Sequence, residues 1–331
     1  MKKIAVKAGI KNIHLFENEN VPIFEAYTEF NDDLNGLLKT PMKLASIHLS
    51  NYVEIDGKYE VLNFNSRGIV GNISRWKLHE AIEFANKHKV DFIVIHLGYF
   101  NSLKEKRNHV ISSLAKEFND FETGNVKICI ENIPHWIDLS FENEPIICNE
   151  LHMLQFKKEC SSVGFVLDID HLAINTVFND VLEKSIDKKV ITKGNIRKLR
   201  MKIGENLIEL TRRDKDYYSS LINKSIVKFF PVINPEIIHA SGSDYCNYML
   251  KTKLPLIGEG LPLNYCGKIK GYTVKDRIDH SQWMNAVSDD VLIIIELLMR
   301  DEYDYVVQSR MSKCFLEKQL ISDNIVNKKI L

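Results

Sequence analysis

Short runs of apolar residues recur along the chain, and each run ends in a polar or ionisable residue. The runs are rich in Ile, Val and Leu, which is typical of strands buried on both faces of a parallel sheet. An early run at residues 3–6 supplies a first strand. The other runs lie at residues 44–48, 92–96, 126–131, 164–168, 236–239, 256–259 and 291–296.

Helical patterns lie between most of these runs. Residues 74–89 place apolar side chains at helical spacing behind Ser74, which is predicted to cap the helix. Residues 103–118 and 150–159 show the same spacing. Alternating strands and helices indicate βαβ units, and parallel strands whose polar ends are all alike favour closure. The predicted fold is therefore an α/β (β/α)8 TIM barrel.

Two segments do not fit a minimal barrel, and the first of them, residues 51–72, is predicted to be a loop or hairpin after the second strand. Residues 178–232 are far longer than an ordinary connection, and they are charged and helical in pattern. They are predicted to form a helical insertion after the fifth strand, as a lid or side layer near the barrel mouth. Residues 301–331 are predicted to form a C-terminal helical extension. No linker divides the chain, so residues 1–331 are expected to form a single domain.

Composition limits the range of partners. A length of 331 residues suits one barrel of about 250 residues with insertions. Lys plus Arg equals Asp plus Glu, at 44 each, so the chain lacks the basic field on which non-specific nucleic-acid binding relies. A nucleic-acid partner is compatible with the sequence but not favoured, and a homo-oligomer is compatible with it too. A small-molecule substrate is expected.

The chain shows no sign of a membrane or an oxidising compartment. No run approaches the ~18 apolar residues of a membrane span, and no long apolar stretch follows the first lysines as in a signal peptide. The six cysteines are scattered and form no C-x-x-C pair. A reduced, cytoplasmic protein is therefore expected.

The strand ends carry the candidate chemistry. In this barrel the carboxyl ends of the strands form the catalytic face. Carboxylates crowded there would repel one another unless a cation neutralised them, and mixed imidazole and carboxylate ligands favour Zn, Mn or Fe over Mg or Ca. One such residue alone is as easily explained by a bond to backbone or water, but six in succession predict a site for one or two metal ions. The predicted ligands are His48, His96, Glu131, Asp168, His239 and Glu296.

The motifs around these residues, in this order, resemble the xylose isomerase-like TIM barrel superfamily, which includes endonuclease IV and the sugar isomerases and epimerases. They lie at residues 47–50, 95–98, 130–132, 168–171, 238–239, 258–260 and 295–296. The resemblance implies that His48, His96 and Glu131 hold one metal. It implies a second metal on Glu131, Asp168, His239 and Glu296, with Glu131 as the bridge. His171 would bind a third ion or contact the substrate.

The chain departs from two members of that superfamily. Endonuclease IV has an Asp-x-His before its Gly-Glu-Gly turn, where this chain has residues 252–254, Thr-Lys-Leu. Many epimerases have an Arg six residues after the sixth-strand His, where Tyr245 stands here. Neither activity is therefore matched in full. Segments 48–50, 167–170 and 239–242 also resemble the multinuclear non-haem iron enzymes that modify peptides oxidatively.

Three further residues join His171 as candidates for substrate binding. Glu259 lies between two glycines, whose backbone freedom allows close approach to a ligand, although a structural turn explains it equally well. His135 and Trp136 directly follow the fourth strand and are predicted to line the pocket.

Three catalytic functions and one non-catalytic alternative follow. The first is a sugar or polyol isomerase or epimerase, in which Glu131 and Glu296 transfer protons on opposite sides of the metal. The second is an endonuclease IV-like two-metal phosphodiesterase, which the pair His48 and His96 supports and the absent third-metal ligands oppose. The third is an iron-dependent oxidative enzyme acting on a peptide or small molecule. A barrel without activity is disfavoured because the ligand set is intact.

Overall fold

Eight parallel strands close into a barrel in a computed structural model that describes residues 2–17, 21–29, 31–135, 143–185, 214–244, 260–269, 272–298 and 302–327. Each strand pairs with its neighbours in chain order, and the last pairs with the first. The strands are β1 (Lys3–Gly9), β2 (Ile23–Tyr27), β3 (Lys43–His48), β4 (Phe92–Ile95), β5 (Lys127–Glu131), β6 (Gly164–Asp168), β7 (Ile237–Ala240) and β8 (Leu292–Ile295). The predicted (β/α)8 barrel is confirmed.

The strand count is as predicted, but one strand differs. β2 was not predicted, because Pro22 and Glu25 interrupt its apolar residues. The predicted strand at 256–259 lies outside the described residues, and the barrel closes without it because β7 pairs directly with β8, with His239 opposite Ile294. Strand β1 also continues beyond its predicted end at Val6.

Helices surround the barrel and bury their apolar faces against it. They are α1 (Ile69–His88), α2 (Arg107–Asn119), α3 (Glu150–Glu159), α4 (Ile169–Ser185), α5 (Lys215–Ile233), α6 (His280–Ala286) and α7 (Glu302–Asn327). Helix α1 buries Leu78, Ala81, Ile82 and Ala85, whose spacing places them on one side of the helix. Ser74 is not its N-cap, as was predicted. It lies inside the helix, where its hydroxyl donates to the Val70 carbonyl.

Short hairpins and 3-10 helices fill the connections. Residues 51–72, predicted to be a loop or hairpin, contain an antiparallel pair, Tyr52–Ile55 with Lys58–Val61. Two further antiparallel pairs are Tyr99–Asn101 with the distant Asn143–Pro145 and Cys266–Ile269 with Tyr272–Lys275. The 3-10 helices are Ile13–Phe16 and Leu34–Lys39.

The long segment 178–232 begins in α4 and ends in α5. Phe178 of α4, and Tyr218 and Phe229 of α5, are buried in the main hydrophobic core. Both ends of the segment therefore belong to the layer of helices around the barrel. Residues 186–213 lie outside the described residues, so the predicted lid stays a prediction.

The predicted C-terminal extension contains helix α7. Tyr305 and Leu316 of this helix are buried, and the Tyr305 hydroxyl donates to the Lys7 carbonyl of β1. The helix is therefore packed against the barrel. Among the described helices, none combines the length and the apolar character needed to cross a bilayer.

Candidate metal centre

Ionisable side chains form a layer inside the barrel, directly above an apolar one. The apolar layer consists of Ala5, Ala45, Val94, Cys129, Val166, Ile237, Leu292 and Ile294. Residues two positions apart on a strand face the same side, so the residue that follows each apolar one by two also faces inward. This rule places His96 above Val94, Glu131 above Cys129 and His239 above Ile237. The barrel geometry thus brings the strand-end residues together.

Glu131 lies at the centre of this layer, buried and surrounded by imidazoles. Its Oε2 is 2.8 Å from His48 Nε2, 3.3 Å from His96 Nε2 and 3.3 Å from His239 Nδ1. Its Oε1 is 3.3 Å from His171 Nδ1. One carboxylate is therefore within reach of four imidazole rings.

The candidate ligand atoms fall into two groups that share Glu131. One group is His48, His96 and Glu131, and the other is Glu131, Asp168, His239 and Glu296. Within each group all ligand atoms lie within 4.8 Å of one another. In the second group, His239 Nδ1 is 2.6 Å from Glu296 Oε2. The structure thus brings together all six predicted ligands, in the two sets that the resemblance implies.

The orientation of His48 fits a cation at its second nitrogen. Nδ1 is 2.8 Å from the Leu49 carbonyl, to which it can only donate. Nε2 is 2.8 Å from Glu131 Oε2, which accepts as well. With its hydrogen on Nδ1, an imidazole carries its lone pair on Nε2, which is the nitrogen that a metal ion would bind.

Four buried candidate ligand atoms also make no hydrogen bond of good geometry within the described part of the chain, although two of them, His239 Nδ1 and Glu296 Oε2, lie 2.6 Å apart. The four atoms are His96 Nε2, Glu131 Oε1, His239 Nδ1 and Glu296 Oε2. A buried polar atom without a partner is costly, and an ion shared by these atoms would remove that cost. The six candidate ligands supply three imidazoles and three carboxylates, and such a donor set suits Zn, Mn or Fe. The residues therefore fit a divalent transition metal.

The electrostatics of the centre depend on crowding. Burial, together with the charges of Glu131 and Glu296, raises the pKa of the Asp168 carboxyl to about 7, although His171 opposes the rise. Burial also raises the pKa of Glu131, but His239 and His96 outweigh it and hold that pKa well below its usual range. Burial lowers the pKa of His96, although the nearby Glu131 opposes this. The lowered pKa favours the neutral imidazole that a metal requires.

Asn132 and His171 hold Asp168 in place. The Asn132 side chain accepts from the Asp168 backbone N–H and donates to the Asp168 carbonyl, at 2.8 and 3.0 Å. The His171 backbone N–H donates to Asp168 Oδ1 at 2.7 Å, and its ring Nδ1 donates to the Asn132 carbonyl at 2.8 Å. Asn132 thereby holds the backbone of Asp168, and the first turn of α4 holds its carboxylate.

A cavity of about 570 Å³ opens onto the centre. His96, His171 and Glu296 line it, together with Lys7 and several tyrosines, whereas Glu131 does not. The four tyrosines are Tyr27, Tyr52, Tyr99 and Tyr305. Substrate would therefore meet Glu296 and the two imidazoles first.

The other predicted substrate contacts are placed differently. His135 is buried and stacks on Phe178, with ring centres 4.6 Å apart, and it does not line this cavity. Trp136 and Glu259 lie outside the described residues. Of the predicted set, His171 alone is described at the cavity wall.

Two ionisable residues of the centre were not predicted, Lys7 and Glu25. Lys7 Nζ donates to Glu296 Oε1 at 2.6 Å and lies 3.6 Å from Glu25 Oε1. Glu25 Oε1 is 3.0 Å from His239 Nε2. The two-residue period could have found both, since Lys7 follows the interior Ala5 and Glu25 follows Ile23, which packs on the same layer. The strands predicted from the sequence do not include these two residues, because the first of them ends at Val6 and none is predicted at residues 23–27.

Known proteins resemble this chain in fold but not in sequence. No family model and no curated protein matches. Among solved structures, an L-ribulose 3-epimerase is similar at 11% identity, covering 100% of this chain and 98% of its own, with a TM-score of 0.56. The IolI protein with a zinc atom has 13% identity over 95% and 97%, with a TM-score of 0.53. Endonuclease IV from Thermus thermophilus has 12% identity over 96% and 99%, with a TM-score of 0.52. The chain therefore shares the barrel fold of these three proteins.

Proposed function

We propose that the protein is a divalent-metal-dependent isomerase or epimerase of a sugar or polyol. The observation that carries the proposal is the cavity of about 570 Å³ that opens directly onto the metal-ligand set at Glu296 and His96. A cavity of this size suits a small molecule rather than a polymer.

The cavity wall favours a neutral, hydroxylated substrate. Among the wall residues that the structure describes, the cationic side chains are Lys7 and Lys11 and the carboxylates are Glu29, Asp32 and Glu296, so positive charge is not in excess there. Lys11 is moreover paired with Glu29 at 2.6 Å. The remaining polar wall includes hydroxyl and amide groups, which both donate to and accept from substrate hydroxyls. These groups are Asn12, Tyr27, Asn51, Tyr52, Tyr99 and Tyr305.

Within this proposal Glu296 is the residue that moves the substrate proton. A bound metal would act as a Lewis acid on the substrate carbonyl. The Glu296 side chain is 27% exposed and lines the cavity, whereas Glu131 lies beneath the imidazoles. We therefore assign proton transfer to Glu296 alone and a bridging ligand role to Glu131. The sequence had led us to expect that both carboxylates transfer protons.

Glu296→Gln tests the proposal. The amide keeps the shape and one ligand oxygen but cannot take a proton, and general acid–base catalysis contributes a factor of about 100 to 10,000. Candidate ketoses in D2O should acquire deuterium with the metal-loaded native protein and at least ~100-fold more slowly with the variant. Glu117→Gln is the matched control, because Glu117 pairs with Arg75 and does not line the cavity. Unchanged exchange in a metal-loaded Glu296→Gln protein would refute the role of Glu296.

A phosphodiesterase is the second candidate, and the shared Glu131 favours it. A carboxylate shared by two ligand sets is expected in a two-ion site. The two ions of such a site would stabilise the attacking and the leaving oxygen when a phosphodiester is cleaved. Hydrolysis of bis(p-nitrophenyl) phosphate by the zinc-loaded protein, lost in His48→Ala, would support it. Deuterium exchange into a ketose without phosphodiester cleavage would decide for the isomerase.

A further inference from the structure

Three adjacent strands place a polar row beside the metal ligands. Lys7 of β1 is the register partner of Glu25 of β2, and Glu25 is the partner of Ser46 of β3. The Ser46 hydroxyl donates to Glu25 Oε2 at 2.7 Å, and Lys7 Nζ lies 3.6 Å from Oε1. Glu25 is 0% exposed and Lys7 is 5% exposed. A buried carboxylate thus has an ammonium and a hydroxyl as partners within its own row.

A local bulge makes this row possible. The pairing of β2 with β3 shifts between Phe24 and Glu25, so that Ala45 is the extra residue of β3. Ala45 packs in the interior apolar layer, and Ser46 still contacts the interior Glu25. The bulge therefore turns the Ser46 hydroxyl towards Glu25, where strict alternation would turn it away.

Glu25 also reaches His239 on the opposite wall of the barrel. Its Oε1 is 3.0 Å from His239 Nε2, whereas His239 Nδ1 faces Glu131 at 3.3 Å and Glu296 at 2.6 Å. One ring nitrogen thus faces the candidate ligands and the other faces Glu25. A metal-binding histidine usually donates its other N–H to a carboxylate or carbonyl, which fixes the tautomer and the orientation of the ring.

We propose that Glu25 is a positioning residue for the ion held by Glu131, Asp168, His239 and Glu296, and that Lys7 is its counter-charge. Glu25, whose Oε1 lies 3.0 Å from Nε2, would keep the hydrogen of His239 on that nitrogen and leave the Nδ1 lone pair for an ion. Lys7 compensates the buried Glu25 charge and donates to Oε1 of Glu296, which would leave Oε2 for the ion. The inference rests on the proposed metal site, and it assigns neither residue a contact with the metal.

The proposal predicts an asymmetric effect on the two ions. Glu25 contacts His239 of one ligand set, whereas His48 of the other set is oriented by the Leu49 carbonyl. Glu25→Gln should therefore weaken the ion bound by His239 and spare the ion bound by His48 and His96. The expected loss is about 10- to 100-fold in affinity, as is typical when such an outer partner is removed.

Titration of the metal-free protein with Co(II), followed by visible absorption, measures the binding of each of the two ions separately. The native protein should bind its ions with distinct spectra, and Glu25→Gln should weaken one ion and shift its absorption band. Glu236→Gln is the matched control, since Glu236 directly precedes β7 and lies at the other end of that strand from His239. It accepts from the Phe165 N–H at 2.7 Å and pairs with Lys127. The control should bind Co(II) as the native protein does.

The outcomes separate this inference from the proposed metal site. A native protein that binds no Co(II) would overturn the metal site itself. A native protein that binds Co(II), with Glu25→Gln unchanged in affinity and band position, would overturn the positioning role alone. Equal weakening of both ions would also overturn it, because a general loss of structure would then explain the effect. If Glu25→Gln does not fold, the double variant Lys7→Met/Glu25→Gln, which removes both charges, carries the same prediction.

Discussion

Lys7→Met should destabilise the metal-free protein because it removes the ammonium beside the carboxylates of Glu25 and Glu296. The methionine side chain is similar in length to the lysine stem and fits the apolar surroundings, but it removes the ammonium that lies 3.6 Å from Glu25 and 2.6 Å from Glu296. Burial would raise the pKa of Glu25, yet His239 and Lys7 hold that pKa below its usual range, so the carboxylate is charged. The variant therefore leaves a buried negative charge with one fewer cation.

The magnitude follows from how deeply each carboxylate is buried. Breaking a buried ion pair by removing one partner costs about 3–5 kcal/mol. Glu296 is 27% exposed and is partly solvated by water, whereas Glu25 is 0% exposed. His239 remains beside Glu25 and offsets part of the loss, so we expect the low end, about 3 kcal/mol. Domains of this kind have an unfolding free energy of about 5–15 kcal/mol, and the variant should remain folded.

Urea denaturation in the presence of a chelator, followed by tryptophan fluorescence, measures the loss. Trp283 is fully buried and should report on unfolding. In a double-mutant cycle, Glu25→Gln should recover about 1–3 kcal/mol of the Lys7→Met loss, because it removes the uncompensated charge. A Lys7→Met protein within about 0.5 kcal/mol of the native one would refute the reasoning. So would an equal loss in the native and Glu25→Gln backgrounds.

Two further predictions concern the pH dependence of metal binding and one strained turn. The pKa of Asp168 is about 7, and although burial opposes this, the carboxylates of Glu25, Glu296 and Glu131 hold the pKa of His239 well above its usual range, so an ion must displace protons from both residues. The apparent Co(II) affinity should therefore rise at least roughly tenfold per pH unit up to about pH 7 and keep rising above it, and competition titrations that show no pH dependence would contradict this. Gly98 has φ of 91°, and a Cβ there would lie 2.7 Å from Asn63 Cα. Gly98→Ala should therefore cost about 1–3 kcal/mol in urea denaturation, whereas Gly9→Ala, whose Cβ would meet nothing closer than 3.8 Å, should cost less than about 0.5 kcal/mol.

The sequence could predict that these six residues meet, because each ends a mostly apolar run. A buried strand can be recognised from such a run without knowing which strands lie beside it. Examples are Val94 and Ile95 before His96, and Ile294 and Ile295 before Glu296. Barrel geometry then requires the strand ends to meet at one face. Both the fold and the clustering of the six candidate ligands therefore follow from local patterns.

Lys7, Glu25 and strand β2 could not be found in that way. Glu25 is tolerated inside the barrel because Lys7, Ser46 and His239 surround it, and these partners come from distant parts of the chain. In the sequence the same glutamate only interrupts an apolar run. Similarly, Ser74 looked like a helix cap, but its hydroxyl bonds within the helix to the Val70 carbonyl, and the helix begins earlier.

The identity of the bound metal separates the remaining chemistries. Protein purified both with and without oxygen should be compared by elemental mass spectrometry. Iron, with oxygen consumption on addition of substrate, would point to oxidative chemistry. Zinc with phosphodiester cleavage would point to the second candidate, and manganese with neither would support the isomerase.

Metal stoichiometry in three proteins tests whether Glu131 is shared by two sets of metal ligands. Elemental mass spectrometry should find bound transition metal in the native protein at one ion per chain or more. His48→Ala should keep the ion of Asp168, His239 and Glu296, and Glu131→Gln should lose ions from both sets, because its carboxylate is common to them. A native protein purified without metal that cannot be loaded, or a Glu131→Gln variant that keeps its full metal content, would contradict the account.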